Sequence, residues 1–267
     1  MESCTAPASA YLETLPPTPL QPAFEPLVNA ARDRLCAGLG PLLDSLYLYG
    51  SVARGQAQAG QSDLDLTLLL VRPLTPPEGE QLDQIRQQLE ACHPEVSKVD
   101  FDVGVCADAL SPANRDSWGY WLKHECRCIY GTDRSRQFPP FRPSPAIAQA
   151  LNGDYVQTLE GYAQRILQAS APAQIARWQK EAARKLVRAT HVLRPPTDSA
   201  WPRTLEEYAA YFAKHHPGMA AQIGFFLTQA RTPDAPPALF AGELARFVAW
   251  MQQHHVPPPQ NTTTRRG

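Results

Sequence analysis

The sequence lacks an apolar run long enough to cross a bilayer, which takes roughly 20 consecutive apolar residues. Hydrophobic residues make up 43% of the 267 residues, but they occur in shorter runs. The first segment, MESCTAPASAYLETLPPTPL, has neither the basic stretch nor the apolar stretch of a secretory signal. We therefore expect a globular, cytoplasmic protein with no membrane partner.

The sequence also lacks the cysteine spacing of a zinc site or a disulfide framework. Its six cysteines are scattered, and the closest two, Cys126 and Cys128, have no C-x-x-C pair to accompany them. We expect free thiols. The full set is Cys4, Cys36, Cys92, Cys106, Cys126 and Cys128.

The net charge of the whole chain is only −1, but the two halves of the chain carry net charges of opposite sign. Residues 1–140 hold 11 Lys/Arg against 18 Asp/Glu, about −7, and residues 141–267 hold 14 against 8, about +6. This asymmetry favours a first half that holds cations and a second half that faces anions. An uneven distribution of solvated surface charge would give the same numbers.

The first half alternates helix-like and strand-like segments, which predicts a mixed α/β layer. Helical spacing covers 22–40, 78–93 and 111–126. Strand patterns cover 45–50, 63–71 and 98–106, followed by RCIYG. We predict that residues 1–137 form the catalytic domain, an α/β (α+β) domain with a mixed sheet.

The second half reads as an all-α helical bundle. FPPFRPSP at 138–145 has four prolines in eight residues and predicts a linker. A helical domain over 146–255 follows, and the polar tail 256–267 is predicted to be disordered. The predicted helices cover about 146–170, 172–193, 203–215, 217–230 and 237–255.

Two aspartates interrupt an otherwise apolar strand, DLDLTLLLV at 63–71. Strand periodicity places Asp63 and Asp65 on one face and Leu64, Leu66, Leu68 and Leu70 on the other. An ionised carboxylate in an apolar setting costs several kcal/mol unless a cation or hydrogen-bond donors compensate it. Two carboxylates on one face therefore predict a divalent cation between them, unless one of them stays protonated.

A second strand repeats the pattern: KVDFDVGV carries Asp100 and Asp102. Four carboxylates with no His or Cys nearby suit Mg²⁺, which prefers oxygen ligands. Twelve residues before Asp63, Gly50 and Ser51 follow the strand SLYLY and begin a short helix-like stretch. A glycine there lets a ligand approach the backbone, and a serine at a helix start suits a phosphate. The combination predicts a site for a metal-bound nucleoside triphosphate.

These motifs, G-S-V-A-R-G, then S-D-L-D-L, then V-D-F, resemble the signature of the DNA polymerase beta superfamily of nucleotidyltransferases. The order of an α/β domain and a helical domain resembles bacterial aminoglycoside adenylyltransferases. The match covers about residues 45–106, with a looser similarity at 118–131. The resemblance implies that Ser51, beside Gly50, holds the triphosphate, that Asp63 and Asp65 hold magnesium, and that Asp100 completes the metal site or acts as base.

Some assignments stay open at this point. Asp102 departs from the family pattern, so either Asp100 or Asp102 is the third carboxylate; we favour Asp100. Arg54 binds the triphosphate or pairs with a nearby Asp, and Ser62 joins the nucleotide-binding candidates through S-D-L-D-L. The resemblance also implies a basic residue from the helical domain on the phosphates. The candidates there are Arg184, Lys185 and Arg188.

The predicted activity is a magnesium-dependent transfer of AMP from ATP to a hydroxyl, with two metal ions and release of pyrophosphate. The acceptor is an aminoglycoside-like small molecule between the domains, a protein, or a tRNA end. A nucleotide-binding partner protein without turnover is the non-enzymatic alternative. The spacing of Arg184 and His191 also resembles the R-x6-H motif of HEPN ribonucleases, which predicts metal-independent RNA cleavage.

Overall fold

The computed structural model describes residues 11–255, and the chain divides after Arg142 into two compact units. This division falls inside the predicted linker at 138–145. Phe138 and Phe141 are nevertheless buried, and the Phe141 N–H donates to His124 Nε2 at 3.0 Å, so these residues belong to the first unit. Cys4 and the predicted disordered tail 256–267 lie outside the described residues.

The first unit is a four-stranded mixed sheet with helices, as the sequence predicts. Its strands are β1 (Leu43–Tyr49), β2 (Leu64–Leu70), β3 (Val99–Val105) and β4 (Arg127–Gly131), in the order β3-β2-β1-β4. β1 pairs antiparallel with β2 and β4, and β2 pairs parallel with β3. Its helices are α1 (Glu25–Leu39), α2 (Gly50–Ala53), α3 (Pro76–Cys92) and α4 (Cys106–Ala109).

One face of the sheet packs against α1 and α3. The side chains of Leu64, Leu66, Leu68 and Leu70 are fully buried in a cluster with Leu35 of α1 and Leu89 of α3. Because side chains alternate along a strand, the odd-numbered residues of β2 project from the opposite face. That opposite face carries the polar residues of interest.

The segment predicted as a helix over 111–126 is irregular. A short 3₁₀ turn at Pro112–Asn114 leads into two π-helical turns, Arg115–Gly119 and Trp121–Glu125. Single π-turns often occur at functional sites because the extra residue re-aims side chains. The rings of Trp118 and Trp121 lie over the sheet face that the helices α1 and α3 leave uncovered.

The second unit is helical, as predicted. It contains α5 (Pro145–Asn152), α6 (Tyr155–Gln168), α7 (Pro172–Ala189), α8 (Leu205–His215), α9 (Ala220–Gln229) and α10 (Pro237–His254). Buried side chains of α6, α7, α8, α9 and α10 form its core. The prediction of a single helix over 146–170 is wrong, because the helix is interrupted at Gly153 and Asp154. The Asp154 carboxylate accepts a hydrogen bond from Thr158 Oγ1 at 2.8 Å, at the start of the second helix.

Two further expectations concern the cysteines and membrane-spanning segments. Within residues 11–255, the five described cysteines are free thiols, as expected. None of the helices in that range is both long enough and apolar enough to cross a bilayer.

Candidate active site

Three carboxylates meet on the exposed side of the sheet. Asp65 of β2 is in register with Asp100 of the parallel strand β3, and Asp63 lies one residue before β2. Each offers an oxygen atom within 4.8 Å of the other two, and all three side chains are half-buried. Parallel pairing, which the sequence pattern does not specify, is what places Asp100 beside Asp65.

The donor set fits magnesium. Mg²⁺ takes oxygen ligands at about 2.0 to 2.1 Å, so two ligands on opposite sides of one ion are roughly 4.2 Å apart. Carboxylate oxygens within 4.8 Å therefore need only a small side-chain adjustment to share an ion. Whether Asp63, Asp65 and Asp100 bind a metal stays a prediction, and the geometry is consistent with it.

Two neighbours interact with these carboxylates. Lys98 Nζ lies 2.5 Å from Asp100 Oδ2, and Ser97 Oγ donates to Asp63 Oδ1 at 2.5 Å. The sequence analysis missed both. Lys98 could have been found, because it precedes Asp100 by two residues and strand alternation puts both on one face. Ser97 lies in the preceding turn and carries no such signal.

Gly50 lies directly against Asp65. It follows β1 with a backbone φ of +73°, a conformation that glycine adopts without steric cost. A Cβ atom built at this position would overlap Oδ2 of Asp65. Ser51 comes next in the four-residue helix α2, and its carbonyl accepts the Gln56 N–H at 2.9 Å. The first two residues of G-S-V-A-R-G thus lie beside the carboxylate group.

Asp102 lies outside the group formed by the other three carboxylates within residues 11–255. It is in register with Thr67, one step along the strands from Asp65 and Asp100. Burial raises the pKa of Asp102, and a hydrogen bond from Thr67 partly opposes that rise. The structure therefore does not support a four-carboxylate metal set, because Asp102 is two residues, roughly 6.6 Å, further along the strand than Asp100.

Tyr49 and Trp121 lie on the same side of the sheet as Thr67. Their rings meet edge to face with centroids 4.9 Å apart, and the Trp121 indole N–H donates to Thr67 Oγ1 at 3.1 Å. Burial raises the pKa of Tyr49, and the negative charges of Asp65, Asp102 and Asp100 raise it further. Tyr49 is therefore a neutral phenol at physiological pH.

Arg54 and Ser62, two predicted nucleotide-binding residues, have partners inside the first unit. Arg54 Nη2 pairs with Glu125 Oε2 at 2.5 Å, and the other oxygen of Glu125 accepts from Tyr120 Oη at 2.6 Å. The partner is a glutamate 71 positions away and not the nearby Asp that the sequence suggests. Ser62 Oγ accepts the Gln58 N–H at 2.9 Å and closes the loop before β2.

The three cationic candidates lie on α7 of the second unit. Lys185 Nζ pairs with Asp154 Oδ1 at 2.7 Å. Arg188 is exposed, and the Nε atom of Arg184 is buried without a hydrogen-bond partner in the described part of the chain. A phosphate contact by any of these three residues stays a prediction.

The ribonuclease hypothesis fails because the side chain of His191 is buried. His191 is 1% exposed and is surrounded by Trp201, Tyr208 and Tyr211. Burial, with a contribution from the charge of Arg194, lowers its pKa to about 3. An imidazole that neither reaches solvent nor takes up a proton near neutral pH is unsuited to general acid–base cleavage of RNA.

Comparisons with known proteins address the family and the fold. Residues 29–118 match the family described as nucleotidyltransferase domain. The fold is similar to that of spectinomycin adenyltransferase AAD(9) from Enterococcus faecialis, whose structure was solved with ATP and spectinomycin. The two structures superpose with a TM-score of 0.53 and 13% sequence identity, and the match covers 84% of this chain and 98% of that chain. No curated protein sequence matches the chain.

Proposed function

We propose that this chain, an enzyme of the nucleotidyltransferase type, transfers AMP from ATP to a hydroxyl of a small molecule. Its residues 29–118 match the nucleotidyltransferase domain family, in agreement with the resemblance to the DNA polymerase beta superfamily. One observation carries the proposal: Asp63, Asp65 and Asp100 converge beside Gly50 within that domain. The antibiotic-modifying fold neighbour supports a small-molecule acceptor of the aminoglycoside class.

Each residue of the site has a proposed role in binding magnesium or the phosphates. Asp63, Asp65 and Asp100 would hold Mg²⁺, which when bound neutralises charge that develops on the phosphate oxygens. Gly50 leaves room for a phosphate close to the backbone, and Ser51 would donate its hydroxyl to that phosphate. Lys98 holds Asp100 in the group through one carboxylate oxygen and leaves the second oxygen available.

In the transfer step, the acceptor oxygen bonds to the α-phosphorus of ATP and the bond to pyrophosphate breaks. The hydroxyl proton would pass to the carboxylate of Asp100, the third carboxylate of the group. We retain Arg184, Lys185 and Arg188 of the second unit as predicted contacts of the triphosphate.

The experiment incubates the protein with Mg²⁺ and α-labelled ATP, GTP, CTP or UTP against aminoglycosides, lincosamides, cell lysate and tRNA. Transfer of labelled AMP to an aminoglycoside, with loss of transfer in Asp65→Asn, is the expected result. Transfer only to a lysate protein or to tRNA would favour the alternative acceptors. Nucleotide binding without any transfer would favour a non-enzymatic partner protein.

A further inference from the structure

The strand face that carries the carboxylate group continues past it to Asp102. Alternation along β3 puts Asp100, Asp102 and Gly104 on one face, and register pairs Asp65 with Asp100 and Thr67 with Asp102. Asp102 therefore lies one step beyond the group, at roughly 6.6 Å along the strand from Asp100.

Asp102 differs from Asp100 in having no ion-pair partner among residues 11–255. Asp100 has Lys98 at 2.5 Å, whereas no Lys, Arg or His side chain of residues 11–255 forms an ion pair with Asp102. Its hydrogen-bond donor is the hydroxyl of Thr67, which is itself fully buried. A carboxylate accepts up to about four hydrogen bonds, so one donor leaves most of its capacity unused.

Aromatic rings contact the residues beside this carboxylate on the same face of the sheet. Trp121 donates its indole N–H to Thr67, the register partner of Asp102, and packs edge to face on Tyr49. Gly104, the next residue of β3 on this face, lies under the ring of Trp118, whose Cη2 atom would be 2.5 Å from a Cβ there. A carboxylate between aromatic rings is an environment that favours an organic cation over a water-bound metal ion.

We propose that Asp102 is a specificity-determining residue that binds a cationic nitrogen of the acceptor while the acceptor hydroxyl lies at Asp63, Asp65 and Asp100. This inference rests on the proposed function and deepens it. It predicts an acceptor that carries an ammonium or guanidinium group in addition to the reacting hydroxyl. It also gives Asp102 a role distinct from metal binding.

The test measures steady-state AMP transfer with spectinomycin, streptomycin and kanamycin, and with N-acetylated kanamycin, whose nitrogens carry no charge. Asp102→Asn keeps the side-chain shape and removes the charge, Asp102→Glu keeps the charge, and Asp108→Asn removes an exposed carboxylate nearby as the matched control. The readouts are KM for the acceptor, KM for ATP, the Mg²⁺ concentration at half-maximal rate, and kcat.

We expect Asp102→Asn to raise KM for a charged acceptor at least about tenfold. The kcat value should change by less than about threefold, and KM for ATP and the Mg²⁺ requirement should match those of Asp108→Asn. Discrimination between kanamycin and its N-acetylated form should shrink in Asp102→Asn and partly return in Asp102→Glu. A purely structural role would instead move kcat, KM for ATP and the melting temperature together.

Other outcomes separate this inference from the proposed function. An unchanged acceptor KM in Asp102→Asn, or a raised Mg²⁺ requirement, would overturn the role of Asp102 while leaving AMP transfer intact. Transfer only to tRNA or lysate protein would do the same. Absence of AMP transfer to every acceptor would refute the proposed function itself. If Asp102→Asn does not fold, the test is the ratio of the wild-type KM values for kanamycin and for its N-acetylated form. Equal KM values would overturn the proposal that Asp102 binds a cationic nitrogen of the acceptor.

Discussion

Gly50 and Asp65 are so close that a methyl group on Gly50 would overlap a carboxylate oxygen of Asp65. The glycine follows β1 and the aspartate lies on β2, and the antiparallel register pairs Asp65 with Tyr49, the residue before Gly50. The absence of a side chain at position 50 is therefore a condition for the carboxylate to occupy its place. This contact links the G-S and D-L-D motifs physically.

Gly50→Ala should lose activity by a factor of at least about 100, because a misplacement of about 1 Å in a catalytic group has an effect of that size. Gly55→Ala is the matched control, since Gly55 has a similar φ of +68° but no atom within 4 Å of an added Cβ. Both variants should lose about 1 to 2 kcal/mol of unfolding free energy from the left-handed backbone. AMP transfer that is equal in the two variants would show that the contact with Asp65 has no role.

ATP binding should require magnesium and the carboxylate of Asp65. Removing one metal ligand, or the metal itself, exposes the triphosphate to neighbouring negative charge and removes several kcal/mol of stabilisation. Calorimetry should show ATP affinity falling by roughly 100-fold in EDTA and in Asp65→Asn. Asp108→Asn, which removes an exposed carboxylate, should bind as the wild type does. Equal affinity with and without Mg²⁺ would contradict the assignment of the group.

Lys185→Ala should lower kcat/KM for ATP about tenfold if Lys185 contacts the triphosphate. Its ion pair with Asp154 is partly exposed, so losing that pair should cost at most about 1 kcal/mol of stability. Asp154→Ala is the control, because it breaks the same pair and keeps the cation. If Lys185→Ala, Arg184→Ala and Arg188→Ala all turn over ATP at the wild-type rate, α7 does not bind the phosphates.

The second unit should lose stability in mild acid because of His191. Burial lowers its pKa to about 3 in the folded protein, whereas the unfolded chain takes up this proton near pH 6.5. Stability is therefore fully present above pH 6.5 and falls as the pH drops toward 3, by about 2 kcal/mol at pH 5. Denaturation of His191→Phe at pH 7 and pH 5 should show a correspondingly smaller difference.

The exposed His254, in the same unit, provides the control for that measurement. His254→Gln should lose as much stability between pH 7 and pH 5 as the wild type does. An identical loss of stability between pH 7 and pH 5 in wild type and His191→Phe would show that other groups are responsible. Phenylalanine keeps a ring among Trp201, Tyr208 and Tyr211 and leaves no buried polar atom unpaired.

The sequence by itself determined the local features of this protein. Alternation in the strand D-L-D-L-T-L-L-L placed Leu64, Leu66, Leu68 and Leu70 on one face and the aspartates on the other, and this holds because successive side chains of a strand point to opposite sides. Proline and helical spacing likewise predicted a helical second half. The G-S, D-L-D and V-D-F motifs together predicted the nucleotidyltransferase class, because their residue types and order can be read along the chain.

Only the tertiary structure decided which distant residues meet. The parallel pairing of β2 with β3 put Asp100 beside Asp65 and left Asp102 beside Thr67, and the π-helical turn at Trp121–Glu125 brought Glu125 to Arg54. Strand periodicity allowed either Asp100 or Asp102 to join Asp65, because both lie on the same face. Register, in contrast, depends on packing over the whole sheet, and a shift of two residues would have exchanged the two aspartates.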